Sequence, residues 1–461
     1  MVEISRDEKE IKEAFNGSMD FVIKRINCGQ GVALAFIDGM VNIDQMELGI
    51  IMPLLHSNGF DATAEGVASV LTTGVEIAAE PKISEAITAI SEGECVMLVD
   101  KSESYFIIKI RGYALRTPSE PPTSAVLKGP REGFTEDVKT NMVLLRRRLH
   151  TNNLIYNTIK VGRYTKTAVV VAHIKGIADN NIVQTITKKI EEIDIDGVID
   201  ASYVGKFLEE RNYSIFNQTG MAEKPDIVAG KMLEGRVAII VDGSPMVITL
   251  PFSLIEDFQD SQDYYKRAPR ATMLRFLRLL GVFFAIILPA TFVALQMHQF
   301  QILPMKLLIT IINSINGIPF TPVVEMFIAL VLFEILGEAS VRMPKYVGMA
   351  VSIVGAIVLG ETAVSAGLLS SLTVLITALS GIALYVIPDE VGTFSTLRFG
   401  LLFVGGAAGM FGLVIAGVGL LAYLVSVEIY GVPYLAPFAP ITESDLKDAL
   451  IKVEIKDMET R

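Results

Sequence analysis

The C-terminal part of the chain is too apolar for an ordinary water-exposed domain. Up to about Thr272 the sequence is charged and mixed in pattern. Beyond it come four long apolar blocks, FLRLLGVFFAIILPATFVALQM, KYVGMAVSIVGAIVLG, AGLLSSLTVLITALSGIALYVI and LRFGLLFVGGAAGMFGLVIAGVGLLAYLVSV. Segments of this length that nearly lack charge are typical of transmembrane helices. Together with the segment TPVVEMFIALVLFEILGEASVRMP, they predict an all-α membrane domain of about five spans.

Basic residues predict the side of the membrane on which the N-terminal part lies. A basic cluster precedes the first apolar block and holds that flank in the cytoplasm, and the charged N-terminus MVEISRDEKEIKEAF has no signal sequence. The cluster consists of Lys266, Arg267, Arg270, Arg275 and Arg278. Arg342, Lys345 and Arg398 indicate further cytoplasmic loops. We therefore expect the residues before the first span to be cytoplasmic.

The sequence does not decide how two of the apolar segments are placed in the membrane. LPMKLLITIINSING, from Leu303 to Gly317, is interrupted by Lys306 and two asparagines, which favours a helix at the membrane surface. The last apolar block is long enough for one tilted helix or for a tight hairpin. The orientation of the C-terminus therefore stays open.

The residues before the first span contain an internal repeat. GVALAFIDGMVN, from Gly31, is echoed by TAVVVAHIKGIADN, from Thr167, and each reads as a strand, an Ile-x-Gly turn and a helix start. GECVMLVDKSESYFIIKI, from Gly93, matches GRVAIIVDGSPMVITLPF, from Gly235, and both read as hairpins. Helical periodicity in IVQTITKKIEEI and TEDVKTNMVLLRRRL completes the pattern. The repeat predicts two related α/β lobes.

The predicted domain boundaries follow from these patterns. We expect a first cytoplasmic α/β lobe over residues 1–115 and a second over 116–265, joined by the connector RTPSEPPTSAVLKGP. The membrane domain covers 266–440, and a polar tail covers 441–461.

Motifs for enzymatic chemistry do not occur. The sequence has no Walker-type loop, no GxGxxG after a strand, no GxSxG and no Cys or His pair at metal-ligand spacing, so it supports neither an enzyme nor a cofactor. The four histidines read as structural or surface residues. The acidic run DIDGVID at 194–200 reads as a turn and helix cap, since it lacks EF-hand spacing. Cys28 and Cys95 are expected to be buried thiols, and the net charge of −11 indicates no nucleic-acid partner.

A basic run at residues 146–148 is a candidate interface. Three consecutive arginines could bind an anionic lipid, a partner carboxylate or a neighbouring subunit, or they could form a solvated helix face. We assign them to a subunit or lobe interface together with two charged residues nearby. The set is Arg131, Glu132, Arg146, Arg147 and Arg148.

Several unusual strings resemble one family, the GerA family of A subunits of bacterial spore germinant receptors. They are GPREGFTEDVKTNMVLLRRRL, KTAVVVAHIKGIAD, IEEIDIDGVIDASY, LEGRVAIIVDGSP, FQDSQDYYKR, IPFTPVVE and YGVPYLAPFAP, in order from about residue 15 to about 440. The resemblance implies a multi-pass protein of the spore inner membrane with a cytoplasmic two-lobed domain. It further implies a homo-oligomeric, nutrient-gated cation channel that works with a transporter-like B subunit and a lipoprotein C subunit.

The sequence departs from the family's pattern at two places. The usual Glu-Ile-Leu-Arg-Glu-Ala reads EILGEA, with Gly337 in place of arginine, and the residues after Pro388 read DEVGTFST. These departures concern the charge of the channel. A paralogous branch that acts beside the receptors to amplify ion release is an alternative within the same family.

Three glutamates in one apolar segment are the candidate ion pathway, because the resemblance places the pore helix after the turn IPFTP. Glu334 and Glu338 share a helix face, whereas Glu325 lies about 180° away, so one helix cannot direct all three at one lumen. Repeated around a ring, the face of Glu334 would alternate carboxylates with apolar constrictions, which favours monovalent cations. The apolar members of the predicted pathway are Phe327, Leu330, Val331 and Val341.

Structural explanations exist for two of these glutamates. Glu338 can pair with Arg342 one turn on, and Glu325 can cap the helix after Pro322. Glu334 has no cation within a turn of its own helix, so its burial is the costliest. Three alternative functions remain: a secondary transporter, a membrane-tethered enzyme and a scaffold for a conducting partner.

Overall fold

A computed structural model divides the chain into two compact units, which we describe separately. The first unit comprises residues 1–212 and 218–252, and the second comprises 213–217 and 253–461. The predicted boundaries at 115, 265 and 440 stay predictions. The structure describes residues 2, 4–28, 31–57, 59–71, 76–110, 112, 129–344, 347–348, 353–355, 357–441, 446 and 448–454.

The first unit contains two five-stranded antiparallel sheets. In the first lobe the strands are β1 Phe21–Asn27, β2 Gly31–Ile37, β3 Glu76–Glu80, β4 Cys95–Val99 and β5 Tyr105–Lys109. Its helices are α1 Ile4–Ala14, α2 Ile43–Met46, α3 Met52–His56, α4 Ala64–Val70 and α5 Ile83–Ser91, with a π-helical turn Glu47–Ile51 between α2 and α3.

The second lobe repeats this arrangement. Its strands are β6 Leu154–Val161, β7 Thr167–Ile174, β8 Gly220–Ala222, β9 Val237–Val241 and β10 Val247–Leu250. Its helices are α6 Val138–Arg146, α7 Asn180–Glu191, α8 Ala201–Leu208 and α9 Pro225–Leu233. The apolar spacing in α7 buries Val183, Ile186 and Ile190, as its periodicity predicts.

Strand order confirms the predicted duplication. The two sheets have the orders β1-β2-β4-β5-β3 and β6-β7-β9-β10-β8, so each strand of the first lobe has its counterpart five strands later. The two predicted hairpins form as β4–β5 and β9–β10. Cys28 and Cys95 are buried thiols, as predicted. The predicted connector at 116–130 lies outside the described residues except for its last two.

Equivalent glycines lie in the turns that follow β2 and β7. Gly39 and Gly176 follow β2 and β7 with φ angles of 83° and 86°, a left-handed conformation that favours glycine. A Cβ on Gly39 would lie 2.8 Å from Cγ2 of Val143, whereas one on Gly176 would meet nothing within 4 Å. The duplication thus provides two matched turns that differ in packing.

These two turns give a prediction with an internal control. We expect Gly176→Ala to cost about 1–2 kcal/mol from backbone strain alone. Gly39→Ala should cost about 1–3 kcal/mol more, because its methyl group also overpacks against Val143. Hydrogen exchange at β2 and β7 in the solubilised full chain measures both. Equal costs at the two positions would contradict the packing argument.

The two lobes contact each other through charged and polar groups. Arg146 of α6 donates to Oδ2 of Asp20 through Nε and Nη2, at 3.1 and 2.6 Å, and the two side chains are 0% and 5% exposed. Ser18 donates to Oδ1 of Asp20 at 2.5 Å, and its Oγ accepts the N–H of Tyr156 at 3.1 Å. An exposed pair, Lys139 with Asp38, crosses the same interface.

The second unit is mainly helical. Its helices are α10 Ser261–Tyr264, α11 Ala268–Ile286, α12 Leu288–Met297, α13 Met305–Ile315, α14 Pro322–Arg342, α15 Ala363–Ser365, α16 Ser371–Leu384 and α17 Val391–Val425. Shorter elements are the 3-10 turns Leu254–Phe258, Phe300–Ile302 and Pro388–Glu390, the π-helical turn Val358–Thr362, and the strands β11 Glu428–Ile429 and β12 Val432–Pro433.

The described helices are long enough to account for only some of the predicted membrane spans. Among the described residues, one helical stretch, 388–425, passes for a membrane span by length and composition, although it reverses at Gly409 as described below. Helices α11 and α12 would give a second span if the two, bent by 45°, count as one. Pro289 in the first turn of α12 accounts for that bend. The segment predicted to lie at the membrane surface forms α13. The total of about five spans stays a prediction.

The last apolar block folds as a hairpin, one of the two predicted alternatives. From Thr393 to Tyr423 a straight helix would be about 45 Å long. Yet the Thr393 hydroxyl donates to the carbonyl of Ile215 at 2.8 Å, and the Tyr423 hydroxyl donates to Oγ of the adjacent Ser214 at 3.1 Å. Helix α17 therefore reverses, and the reversal falls at Gly409, where φ is 62° and ψ is −154°.

Two side chains after α12 support this reversal. The Gln299 side chain accepts the N–H of Met410 at 3.1 Å, and Nε2 of His298 lies 2.8 Å from the carbonyl oxygen of Gly406, to which it donates in that tautomer. A Cβ on Gly409 would lie 2.7 Å from the Gln299 side chain. His298 is thus structural, as predicted. The prediction that Arg398 marks a loop is wrong, because Arg398 lies within the first leg of α17.

Candidate ion-pathway helix

Helix α14 carries the three candidate glutamates. It starts after Thr321 with Pro322 in its first turn, where proline's missing N–H has no helical partner to lose. Glu325 in that first turn is 1% exposed, and its Oε1 accepts the N–H of Ser370 at 2.6 Å. Ser370 in turn caps α16 by accepting the N–H of Thr373. Glu325 therefore connects two helix starts inside the chain.

Glu334 has a cationic partner from a distant part of the sequence. Nη2 of Arg398 in α17 donates to Oε1 of Glu334 at 2.5 Å, and the Ser395 hydroxyl donates to the same oxygen. Arg398 is 0% exposed, and Nη1 also donates to Oγ of Ser380 at 3.2 Å. Glu334 itself stays 36% exposed. The carboxylate is thus held on one side and open on the other.

Glu338 pairs with Arg342 as its spacing allows. Nη2 of Arg342 lies 2.5 Å from Oε1 of Glu338, and the two side chains are 78% and 64% exposed. An exposed pair of this kind contributes little to stability. Glu338 therefore remains accessible at the C-terminal end of α14.

The four apolar candidates occupy different environments. Leu330 is 0% exposed and packs in a core cluster with Val293, Met326 and Leu402, so it lies inside this chain. Phe327 contacts the rings of Phe399 and Phe403, with centroids 5.7 and 5.5 Å apart.

The other two candidates differ in the same way. Val331 is half-buried, and Val341 is 81% exposed. Glu338 and Val341, together with one side of Glu334, are consequently the predicted pathway residues that another chain or solvent can reach most readily.

The residues predicted at an interface divide into two groups. Arg146 is buried against Asp20 between the lobes, whereas Glu132 accepts from both Arg147 and Arg148 at 3.0 Å. These two arginines are 31% and 24% exposed, and Arg131 is exposed. The run therefore combines an internal lobe contact with a partly accessible charged patch.

The basic cluster at the start of α11 is partly neutralised. Arg275 is 0% exposed and lies 3.3 Å from Oδ2 of Asp263, and Arg278 donates to the same oxygen at 2.6 Å. Burial alone would raise the pKa of the Asp263 carboxyl, but hydrogen bonding and charge from Arg278 hold that pKa below its usual value. Arg275 also donates to the side chain of Asp448 at 3.1 Å.

The acidic run at 194–200 is a turn and helix cap, as predicted. Asp200 caps α8 by accepting the N–H of Ser202 at 2.9 Å, and it accepts the Ser244 hydroxyl at 2.6 Å. Although burial opposes it, these hydrogen bonds lower the pKa of Asp200. Asp194 pairs with Arg163. His173 lies buried in β7, where burial lowers its pKa.

Together these features define a class of protein, a duplicated α/β module followed by a helical unit with apolar, membrane-type helices and internal ion pairs. The sequence model of the Bacillus/Clostridium GerA spore germination protein matches residues 9–461. The chain therefore belongs to the GerA spore germination protein family.

Individual relatives cover nearly the whole chain. The uncharacterized membrane protein YfkQ of Bacillus subtilis (strain 168) is 35% identical over 95% of this chain and 86% of its own length. Spore germination protein KA of the same organism is 33% identical over 98% and 84%, respectively. Spore germination protein GerLA of Bacillus cereus is 29% identical over 96% and 92%.

A solved structure also matches the N-terminal half. It is the crystal structure of the N-terminal domain of the A subunit of the Bacillus megaterium spore germinant receptor GerK3, with 26% identity and a TM-score of 0.43. The match covers 54% of this chain and 97% of that domain.

Proposed function

We propose that this chain is the A subunit of a nutrient-responsive germinant receptor in the spore inner membrane, with its two lobes in the cytoplasm. It assembles as a homo-oligomer with a transporter-like B subunit and a lipoprotein C subunit. Membership of the GerA family supports the role in germination. The apolar helices of the second unit support the membrane location.

In this proposal α14 contributes to a path for monovalent cations. The observation that carries it is the pair of carboxylates on one face of α14, Glu338 at 64% and Glu334 at 36% exposure, in a helix whose other residues from Met326 to Ala339 are apolar. Carboxylates that stay accessible in such a helix normally face water or a conduit. Several copies of this face around an axis would form acidic rings that attract cations.

Glu338 gives the sharper test of this path. Its side chain is exposed, so Glu338→Gln should fold normally, and we expect cation flux through the reconstituted receptor to fall about tenfold, equivalent to about 1.4 kcal/mol. Flux of K⁺ from liposomes that contain the purified full chain with its co-purified subunits measures this. Glu13→Gln, which removes a 70% exposed carboxylate from α1, is the control.

Glu334 needs a double variant, because its loss alone strands the Arg398 charge. Glu334→Gln with Arg398→Gln removes both charges together and should also lower cation flux or selectivity. If neither this double variant nor Glu338→Gln differs from Glu13→Gln in flux and selectivity, α14 does not line the path. If cation flux requires a partner subunit and is unchanged in these variants, the chain is a scaffold for a conducting partner.

A further inference from the structure

A buried carboxylate outside the proposed ion path lies at the start of α17. Glu390 ends the 3-10 turn Pro388–Glu390 and is 0% exposed. Neither of its carboxylate oxygens accepts a hydrogen bond from a described residue. A fully buried carboxylate without a compensating donor or charge is costly, by several kcal/mol. The position therefore favours either a proton on the carboxylate or a cation beside it.

Oxygen-bearing side chains surround Glu390. It interacts with the side chains of Thr393, Asp257 and Asn217. The hydroxyl hydrogen of Thr393 goes to the carbonyl of Ile215 at 2.8 Å, and the Asn217 amide donates to the carbonyl of Asp389 at 3.2 Å. The hydroxyl hydrogen of Thr393 and one of the two amide hydrogens of Asn217 are thus directed at backbone carbonyls, and the side-chain oxygen atoms of both residues can face a cation beside Glu390.

Separate chain segments of the second unit hold this cluster in place. The residue segment 213–217, the 3-10 turn Leu254–Phe258 and the start of α17 all contribute to it. The fully buried Tyr434 joins the first two, because its hydroxyl donates to the carbonyl of Asn217 at 2.8 Å and its own carbonyl accepts the N–H of Leu254 at 2.9 Å. The site is therefore built by tertiary structure rather than by one loop.

The sequence around this cluster includes motifs that the ion path leaves unused. Tyr434 belongs to YGVPYLAPFAP, which carries the resemblance to the family, and Glu390 belongs to DEVGTFST, where this chain departs from the family's pattern.

We propose that Glu390 and Asp257, with the oxygens of Thr393 and Asn217, bind a hard cation. Carboxylate, hydroxyl and amide oxygens are the ligands of Ca²⁺, Na⁺ and K⁺, and two carboxylates are balanced by one divalent ion, which makes Ca²⁺ the expected occupant. Among the described residues no three His, Cys, Asp or Glu side chains group around a metal position.

Terbium luminescence tests this proposal in the purified full chain after treatment with a chelator. Tb³⁺ substitutes for Ca²⁺ and is excited through tyrosine. The chain has 13 tyrosines and no tryptophan, and Tyr434 is hydrogen-bonded to Asn217 of the cluster. We expect saturable luminescence that Ca²⁺ displaces, and a rise in melting temperature with Ca²⁺ concentration. Displacement by K⁺ or Na⁺ instead would support the site with a monovalent occupant.

Variants separate this site from adventitious binding. Glu390→Gln should weaken binding by roughly 100-fold, and Asp257→Asn should do the same if Glu390→Gln does not fold. Glu428→Gln, which removes an exposed carboxylate between α17 and β12, should leave the affinity unchanged. The proposal would be overturned if the wild-type chain shows no saturable Tb³⁺ binding, or if the Glu390 and Glu428 variants bind with equal affinity. A proton shared by Glu390 and Asp257 would then neutralise the buried carboxylates.

Discussion

Replacing Asp20 by asparagine should destabilise the first unit by about 3–5 kcal/mol, because it leaves the Arg146 charge buried without a counter-charge. The guanidinium is 0% exposed, and besides Asp20 it donates to the carbonyl of Thr151 at 2.9 Å and lies 5.1 Å from the ring centroid of Tyr156. None of these other contacts supplies a negative charge. Hydrogen exchange at β1 and β6 in the solubilised full chain measures the loss.

Two further variants make this prediction specific. Asp38→Asn breaks the pair with Lys139 across the same lobe interface, but its side chains are 39% and 73% exposed, so we expect a loss below about 1 kcal/mol. Asp20→Leu with Arg146→Met removes both buried charges and should recover most of the stability. A loss for Asp20→Asn no larger than that for Asp38→Asn would show that the buried pair is not essential.

The second large effect is expected within the helical unit. Glu334→Gln alone should destabilise α14 and α17 by about 3–5 kcal/mol, because Arg398 is 0% exposed and keeps its charge. Arg398→Gln should cost less, because Glu334 is 36% exposed and its carboxylate can be hydrated. The double variant should be more stable than Glu334→Gln.

Thermal aggregation of the solubilised chain ranks these three variants. The expected order of stability places Glu334→Gln lowest. If Arg398→Gln is the least stable of the three, hydration of the exposed Glu334 carboxylate does not offset the loss of its partner. The predicted difference between the two single variants would then be wrong. The ranking uses no ion flux, so it tests the ion pair independently of the proposed conduction.

Local patterns predicted the first unit well because each lobe repeats strong signals. Strands such as β2 and β7 are short apolar runs followed by an Ile-x-Gly turn, and both copies form as expected. The hairpins β4–β5 and β9–β10 follow from turn residues between apolar runs. Lobe contacts such as Arg146 with Asp20 join residues 126 positions apart, which no periodicity encodes.

The candidate site could be predicted only in part. The spacing of Glu338 and Arg342 predicts their pair, because neighbours four apart on a helix meet. The partner of Glu334 is 64 residues away, and only the cost of an unpaired charge among apolar residues could have suggested that Arg398 has such a partner. The sequence left the last apolar block as either one tilted helix or a tight hairpin, because the length of an apolar segment does not distinguish the two.

Burial of Arg275 imposes an order on biosynthesis. Its Nη1 donates to the carbonyl oxygens of Asp448 and Ala449, at 2.5 and 3.0 Å, and the chain between these positions and Arg275 is 173 and 174 residues long. At about 5–20 residues per second the ribosome needs roughly 10–35 s to supply those partners. Until then Arg275 has the carboxylate of Asp263 and the ring of Tyr264 beside it, so the start of α11 reaches its final contacts only after residues 448 and 449 have been made.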